Sequence, residues 1–81
     1  MEKKLSRFAK TDGGCIQTEF KETGGKTFFD VRKMYKKKDM DEFAPTKKGI
    51  FVPVESLYSL RKTLNKAIKL AEKAGLLEGE K

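Results

Sequence analysis

Basic and aromatic side chains concentrate in and around one segment of this chain, Phe28 to Leu57. Lysine and arginine supply the positive charge that binds phosphate groups, and an exposed aromatic ring stacks on nucleobases. This mixture indicates the binding of a nucleic-acid strand rather than the making or breaking of bonds. The residues that we select as candidate contacts are Lys26, Arg32, Tyr35, Lys36, Lys37, Lys38, Lys47 and Lys48.

Each candidate also has a simpler explanation. Arg32 lies two positions after Asp30, so the two side chains share a strand face and can form an ion pair. Tyr35 can pack in a core, and the run Lys36 to Lys38 can form an ordinary solvated loop. The combination favours a binding surface, because Arg32 and Tyr35 close a predicted strand that leads directly into the lysine run.

Patterns typical of catalysis or metal binding are missing from the sequence. There is no histidine, which removes the commonest general base and the commonest metal ligand. The segment TGGKT, residues 23–27, resembles a phosphate-binding loop but has Phe20 where that loop needs its first glycine. The acids Asp39, Asp41 and Glu42 lack the spacing of a calcium loop. We therefore expect a protein that is not an enzyme and uses neither a metal ion nor a cofactor.

Composition indicates one small domain with an anionic partner. The 81 residues include 19 Lys and Arg against 12 Asp and Glu, a formal net charge of +7, and such an excess favours a polyanion. So short a chain buries a thin core, and the lone Cys15 excludes an internal disulfide. Oligomerisation is then the remaining means of stabilisation. We assign residues 1–14 to an N-terminal tail with room for a short strand, 15–75 to a binding and dimerisation domain, and 76–81 to a C-terminal tail.

Hydropathy gives no sign of a membrane segment. No apolar run approaches the roughly 18 residues of a membrane span, and the first ten residues, MEKKLSRFAK, lack the apolar stretch of a secretory signal. We expect a cytoplasmic protein with no membrane partner.

Alternating apolar and polar residues predict strands in the first two thirds of the chain. In residues 15–22, Ile16, Thr18 and Phe20 fall on one face, which is the pattern of a half-buried strand. Gly24 and Gly25 then predict a tight hairpin turn. Pro45 keeps its own strand short or at a sheet edge, because proline has no N–H to donate. The predicted strands cover residues 15–22, 26–35, 43–45 and 49–52.

The last third of the chain predicts one long amphipathic helix, from Pro53 to about Ala74, with Gly75 as its stop. The fold class is therefore α+β, four antiparallel strands followed by a helix. At 1.5 Å per residue the helix spans roughly 30 Å, longer than a small sheet covers. We therefore expect its apolar face to meet a second copy of the chain and form a homodimer. The residues of that face are Leu57, Leu60, Leu64, Ala67, Ile68 and Ala71.

Two segments carry a family resemblance. FFDVR, residues 28–32, and PTKKGIFV, residues 45–52, resemble the positive cofactor four family of transcriptional coactivators and single-stranded DNA-binding proteins. The resemblance runs from about Cys15 to Ala74. It implies a curved four-stranded antiparallel sheet, a C-terminal helix and a dimer with paired channels for single strands.

The resemblance also implies roles for individual residues. Arg32 corresponds to the family's strand arginine, and Tyr35 falls where the family commonly has an aromatic residue that stacks on bases. Lys26 corresponds to a basic residue after the hairpin, and Lys47 and Lys48 to the basic pair before a glycine.

The chain departs from the family pattern at its first strand. Thr23 stands where the family often has a stacking aromatic residue, and Gly14 and Ile16 stand where it has basic residues. We expect the lysine run, or the N-terminal residues Arg7, Phe8 and Lys10, to supply the missing contacts.

The function expected from the sequence is sequence-independent binding of single-stranded DNA. The protein would act on melted DNA in transcription, replication or recombination, together with that machinery, in a bacterial cell or a virus-infected host. One alternative is an interaction module that recruits an acidic partner such as a polymerase. Another is RNA binding, because stacking and phosphate contacts do not themselves detect the 2′-hydroxyl.

Overall fold

The computed structural model describes residues 2–37 and 42–79, which form one antiparallel sheet followed by a helix. The strands lie in the order β1-β2-β3-β4, so each pairs with its neighbour in the chain. The predicted fold class is confirmed. The elements are β1 (Lys3–Thr11), β2 (Gly14–Thr23), β3 (Lys26–Lys36), β4 (Phe43–Pro53), a single 3₁₀ turn (Val54–Ser56) and α1 (Leu57–Lys73).

The glycine hairpin forms as predicted. Thr23 of β2 pairs with Lys26 of β3, which leaves Gly24 and Gly25 as a two-residue turn. Their φ angles are 58° and 76°. Two consecutive positive φ values are the geometry whose twist matches paired strands, and glycine adopts them without steric strain.

The prediction of two separate strands at 43–45 and 49–52 is wrong, because β4 runs continuously from Phe43 to Pro53. The pairing of β3 with β4 shifts register between Arg32 and Met34. At this bulge Thr46 Oγ1 donates to the Lys33 carbonyl oxygen at 2.7 Å and accepts from the Lys48 backbone N–H at 3.1 Å. The threonine thus ties an irregular segment into one strand, and Pro45 is tolerated because β4 is an edge strand.

The N-terminal segment forms a longer strand than the sequence indicated. All nine residues of β1 are exposed. Because neither face of this strand is buried, its sequence shows no alternation of apolar and polar residues. Side-chain hydrogen bonds help to hold β1 against β2: the hydroxyls of Ser6 and Thr18 are 2.9 Å apart, and Arg7 Nε donates to Gln17 Oε1 at 2.6 Å. Polar contacts across the pair take the place of an apolar face.

The sheet curls strongly. The Arg7 guanidinium of β1 lies 5.1 Å from the centre of the Phe43 ring of β4, although these strands are the two outer ones. The curl gives the sheet an inner face, and Cys15 and Met34 pair across it. Among the described residues these two are the buried hydrophobic side chains, so the core of a single chain is small.

The C-terminus of α1 has a complete cap. Gly75 has a φ of 78°, its N–H donates to the Glu72 carbonyl, and the Leu76 N–H donates to the Ala71 carbonyl at 2.8 Å. This pair of bonds is the Schellman motif, which needs a residue with positive φ at the position of Gly75. The glycine predicted to stop the helix does so.

The apolar face of α1 is left uncovered by its own chain. No residue of the helix is buried, and Leu64 and Ile68 are 53% and 45% exposed. Over residues 2–37 and 42–79, no strand packs extensively on the helix. No helix in these ranges is long and apolar enough to cross a membrane.

Candidate nucleic-acid interface

Arg32 occupies the middle of β3 and is held by three hydrogen bonds. Its Nε and Nη2 donate to the two carboxylate oxygens of Asp30 at 3.2 and 3.1 Å, a bidentate ion pair. Its Nη1 donates to the Thr46 carbonyl oxygen of β4 at 2.9 Å. The ion pair considered from the sequence therefore forms. The arginine also joins β3 to the strand that carries Lys47 and Lys48.

Asp30 is the most buried side chain of the described residues, with no exposed surface. A buried carboxylate needs a matching charge, because transfer out of water removes its hydration. Arg32 supplies most of that match, and Lys21 Nζ adds a longer contact at 3.7 Å. Lys21 also lies 3.5 Å from Glu19 on the same strand. The inner face of the sheet thus contains a charged network beside its small apolar core.

The absence of a side chain at Gly49 leaves the space that the Arg32 guanidinium occupies. The two residues pair directly across β3 and β4. A Cβ atom at position 49 would lie 2.8 Å from the Val31 carbonyl oxygen and 2.9 Å from Arg32 Cζ, closer than real Cβ atoms approach. Only glycine leaves room for the guanidinium to cross the strand, which explains the glycine in the KKGI segment.

An aromatic pair continues this inner surface. The Phe51 ring lies 5.5 Å from Arg32 Cζ and stacks on Phe28 with ring centres 5.7 Å apart. Phe51 is exposed, so its ring remains accessible. Sequence reasoning treated Phe51 only as a strand residue. The available signal was its position two residues after Gly49, which puts both on one strand face.

Lys47 and Lys48 are exposed at the β4 bulge. Lys48 lines a cavity of about 690 Å³ together with Lys33 of β3. Its walls include the apolar side chains of Ile16, Val31 and Ile50. Because Lys33, Val31 and Ile16 alternate with inner-face residues, this cavity lies on the outer face of the sheet. Sequence reasoning did not select Lys33.

Tyr35 presents an open ring near the end of β3. Its side chain is 46% exposed, and its direct partners on the neighbouring strands are the small residues Gly14 and Ala44. Strand alternation puts Tyr35 on the same face as Lys33 and on the face opposite Arg32. We call Lys33, Tyr35 and Lys48 the outer-face cluster.

The remaining candidates lie at two ends of the sheet. Lys26 begins β3, six residues and roughly 20 Å from Arg32 along the strand. Lys36 and Lys37 lie at the other end, where their backbone N–H groups donate to the carbonyls of Gly13 and Glu42. Lys38 lies outside the described residues. The structure thus brings Lys48 together with Lys33 at one cavity, and it leaves Lys26 at the end of β3 opposite to Tyr35.

Comparisons with known proteins show the family and support the fold. Residues 15–63 match the sequence model of the family described as Transcriptional Coactivator p15 (PC4). A PC4 homolog from Burkholderia pseudomallei has a similar structure in an orthorhombic crystal form, with a TM-score of 0.74, 26% identity and coverage of 82% of this chain and 88% of that one. The tetragonal form of the same protein has a TM-score of 0.71 and 25% identity, with coverage of 83% of this chain and 97% of that one. No curated protein gave a significant sequence match.

Proposed function

Because this chain belongs to the transcriptional coactivator p15 (PC4) family, whose model matches more than half of its 81 residues, we propose that it is a homodimeric single-stranded DNA-binding protein. It is a binding protein rather than an enzyme. It acts on melted DNA in transcription, replication or recombination, in a bacterial cell or a virus-infected host.

The exposed ring of Tyr35 beside exposed lysines is the observation that carries this proposal. A ring that is nearly half exposed at a sheet surface is available to stack on a base. In the outer-face cluster, Lys33 and Lys48 lie on the same face and can bind phosphates next to that base. Since every base has a ring face, binding of this kind has little sequence preference.

Arg32 contributes in two ways under this proposal. Three of its five N–H groups hold Asp30 and the Thr46 carbonyl, which fixes the strand that carries Lys47 and Lys48. Its other two N–H groups remain for a phosphate or a base, although only 17% of the side chain is exposed. The basic residues at the sheet ends, Lys26, Lys36 and Lys37, extend the path of the strand. Lys38, outside the described residues, stays a candidate contact.

Binding of a single strand and of its duplex, measured across a salt series, tests the proposal. We expect an oligonucleotide of about 20 residues to bind more tightly than the matching duplex, with an affinity that falls steeply as salt rises. Equal binding of the duplex, or an affinity that hardly changes with salt, would show that this mechanism is wrong. Competition between matched DNA and RNA oligonucleotides determines which nucleic acid is preferred.

The homodimer is part of the proposal because a single chain leaves so much apolar surface exposed. Its described residues bury only two hydrophobic side chains, and α1 keeps its apolar face open. Pairing two copies through that face would remove it from water. The residues proposed for the interface are Leu57, Leu60, Leu64, Ala67, Ile68 and Ala71.

Leu64→Glu is expected to break the dimer. A carboxylate buried at the interface without a partner costs about 3 to 5 kcal/mol, which corresponds to a dissociation constant raised roughly 150-fold or more. Sedimentation equilibrium of the unaltered protein and of the Leu64→Glu variant measures the change in the dissociation constant. Leu70→Glu is the matched control, because Leu70 is 67% exposed and lies outside the proposed interface.

A stable monomer of the unaltered chain would contradict the dimer. It would instead favour the alternative in which the apolar face of α1 docks on a partner protein.

A further inference from the structure

The polar side of α1 carries a concentrated positive charge. The helix has five cationic side chains and one carboxylate, Glu72, in 17 residues. At about 100° of rotation per residue, the four lysines among them fall within a sector of roughly 60°. We call this sector the lysine face. Its residues are Lys62, Lys66, Lys69 and Lys73.

The lysine face is not neutralised by its own chain. All four lysines are exposed, and within residues 2–37 and 42–79 none of them forms an ion pair. Lys62 and Lys66 are four positions apart, as are Lys69 and Lys73, so each pair repels by about 0.2 to 0.5 kcal/mol. Acids at these spacings would instead stabilise the helix by a similar amount. The uncompensated repulsion points to an anion from outside the chain.

An aromatic residue lies at the N-terminal end of the same side. The Tyr58 side chain is 78% exposed, and the Arg61 guanidinium lies 5.2 Å from its ring centre. Tyr58, Arg61, Lys62 and Asn65 line one depression in the surface. An open ring beside cations is the arrangement that stacks a base while its phosphates are held.

We infer that the lysine face, together with Tyr58, is a second binding surface for single-stranded nucleic acid, separate from the sheet. An acidic protein is a poorer fit, because Leu70, at one border of the sector, is a single aliphatic anchor for a peptide, whereas the ring suits a base. The lysine face extends about 16 Å along the helix axis. It lies opposite the apolar face, so a dimer formed through α1 leaves it open.

This inference takes its class of ligand from the proposed function and extends the path of a strand beyond the sheet. A short oligonucleotide fills one surface, whereas a long strand reaches both. Strand length therefore separates the two surfaces in an experiment.

The test measures binding of oligothymidylates of about 8 and about 40 nucleotides across a salt series. Neutralising four phosphate contacts changes the slope of log K against log salt by about 3. We expect the slope to fall by this amount for the long strand alone in the variant in which four lysines are changed to glutamine. These lysines are Lys62, Lys66, Lys69 and Lys73. Changing the same four lysines to arginine is the matched control and retains the slope.

Tyr58 gives an independent measurement. Tyr58→Ala is expected to weaken binding of the long strand by about 5-fold or more, while Tyr58→Phe, which keeps the ring, binds normally. Unchanged slopes in the glutamine variant at both lengths would overturn the inference. The inference would also be overturned if polyglutamate competed for the lysine face as strongly as the long oligonucleotide does. If Lys47→Gln with Lys48→Gln changes nothing while the helix variants respond, the sheet site fails and the helix surface stands.

Discussion

Asp30→Ala is expected to lower the free energy of unfolding by about 3 to 5 kcal/mol. The carboxylate has no exposed surface and accepts two hydrogen bonds from Arg32. Without it the guanidinium stays half-buried beside Phe51 with no counter-ion, and its bond to the Thr46 carbonyl loses its support. Urea unfolding followed by circular dichroism, at one fixed protein concentration, measures the loss.

Glu19→Gln is the matched control for Asp30. Glu19 lies directly opposite Asp30 in the pairing of β2 with β3, and its carboxylate forms an ion pair with Lys21. Its side chain remains partly exposed. Ion pairs of that kind contribute about 0 to 1 kcal/mol. Similar losses in the two variants would mean that burial of Asp30 does not determine the strength of its pair. The double variant Asp30→Ala with Arg32→Ala should lose less than the two single losses together, because neither charge is then left alone.

Tyr35→Ala is expected to weaken binding of a single strand by about 5-fold to 150-fold, since one stacked base contributes about 1 to 3 kcal/mol. The fold should persist, because the ring is 46% exposed and its strand partners are glycine and alanine. Fluorescence anisotropy with a labelled oligonucleotide measures the affinity. Tyr35→Phe keeps the ring and should bind as the unaltered protein does.

Salt dependence separates the ring from the lysines. Tyr35→Ala should leave the slope of log K against log salt unchanged, because stacking releases no counterions. Lys47→Gln with Lys48→Gln should lower that slope by about 1.4, from two phosphate contacts on a single strand. Unaltered affinity in Tyr35→Ala would move the stacking site elsewhere, and Phe51 would be the next ring to change.

The parts of the fold that follow from local rules were predictable from the sequence. Alternation gave β2 and β3, and two glycines gave the hairpin between them. Three-and-four spacing predicted α1, with Gly75 as its stop. Each of these depends on residues close together in the chain, where the period of apolar side chains or a positive φ is enough. The predicted start at Pro53 is wrong, because Pro53 ends β4 and a 3₁₀ turn precedes α1 at Leu57.

The parts without a local pattern were not predictable. β1 has no apolar face to mark it in the sequence, and polar contacts such as Arg7 with Gln17 hold it to β2. The β4 bulge depends on one hydroxyl, Thr46, bonding across to the Lys33 carbonyl. For the candidate site, the sequence selected Arg32 and Tyr35 as parts of one surface, although strand alternation places residues three positions apart on opposite faces. Lys33 was missed because its importance comes from a cavity that Lys48 shares.

The two outer strands of the sheet have a consequence for behaviour in solution. Strands at a sheet edge present unpaired N–H and C=O groups to which another sheet can add. Such edge-to-edge pairing is opposed on β1 by charged side chains, including Lys3, Lys4 and Lys10. On β4 it is opposed by the prolines and lysines of that strand. Phosphates that occupy Lys47 and Lys48 would remove part of that protection. Under the proposed function, Lys47 and Lys48 would therefore serve both colloidal solubility and ligand capture, and a change to either lysine would affect both.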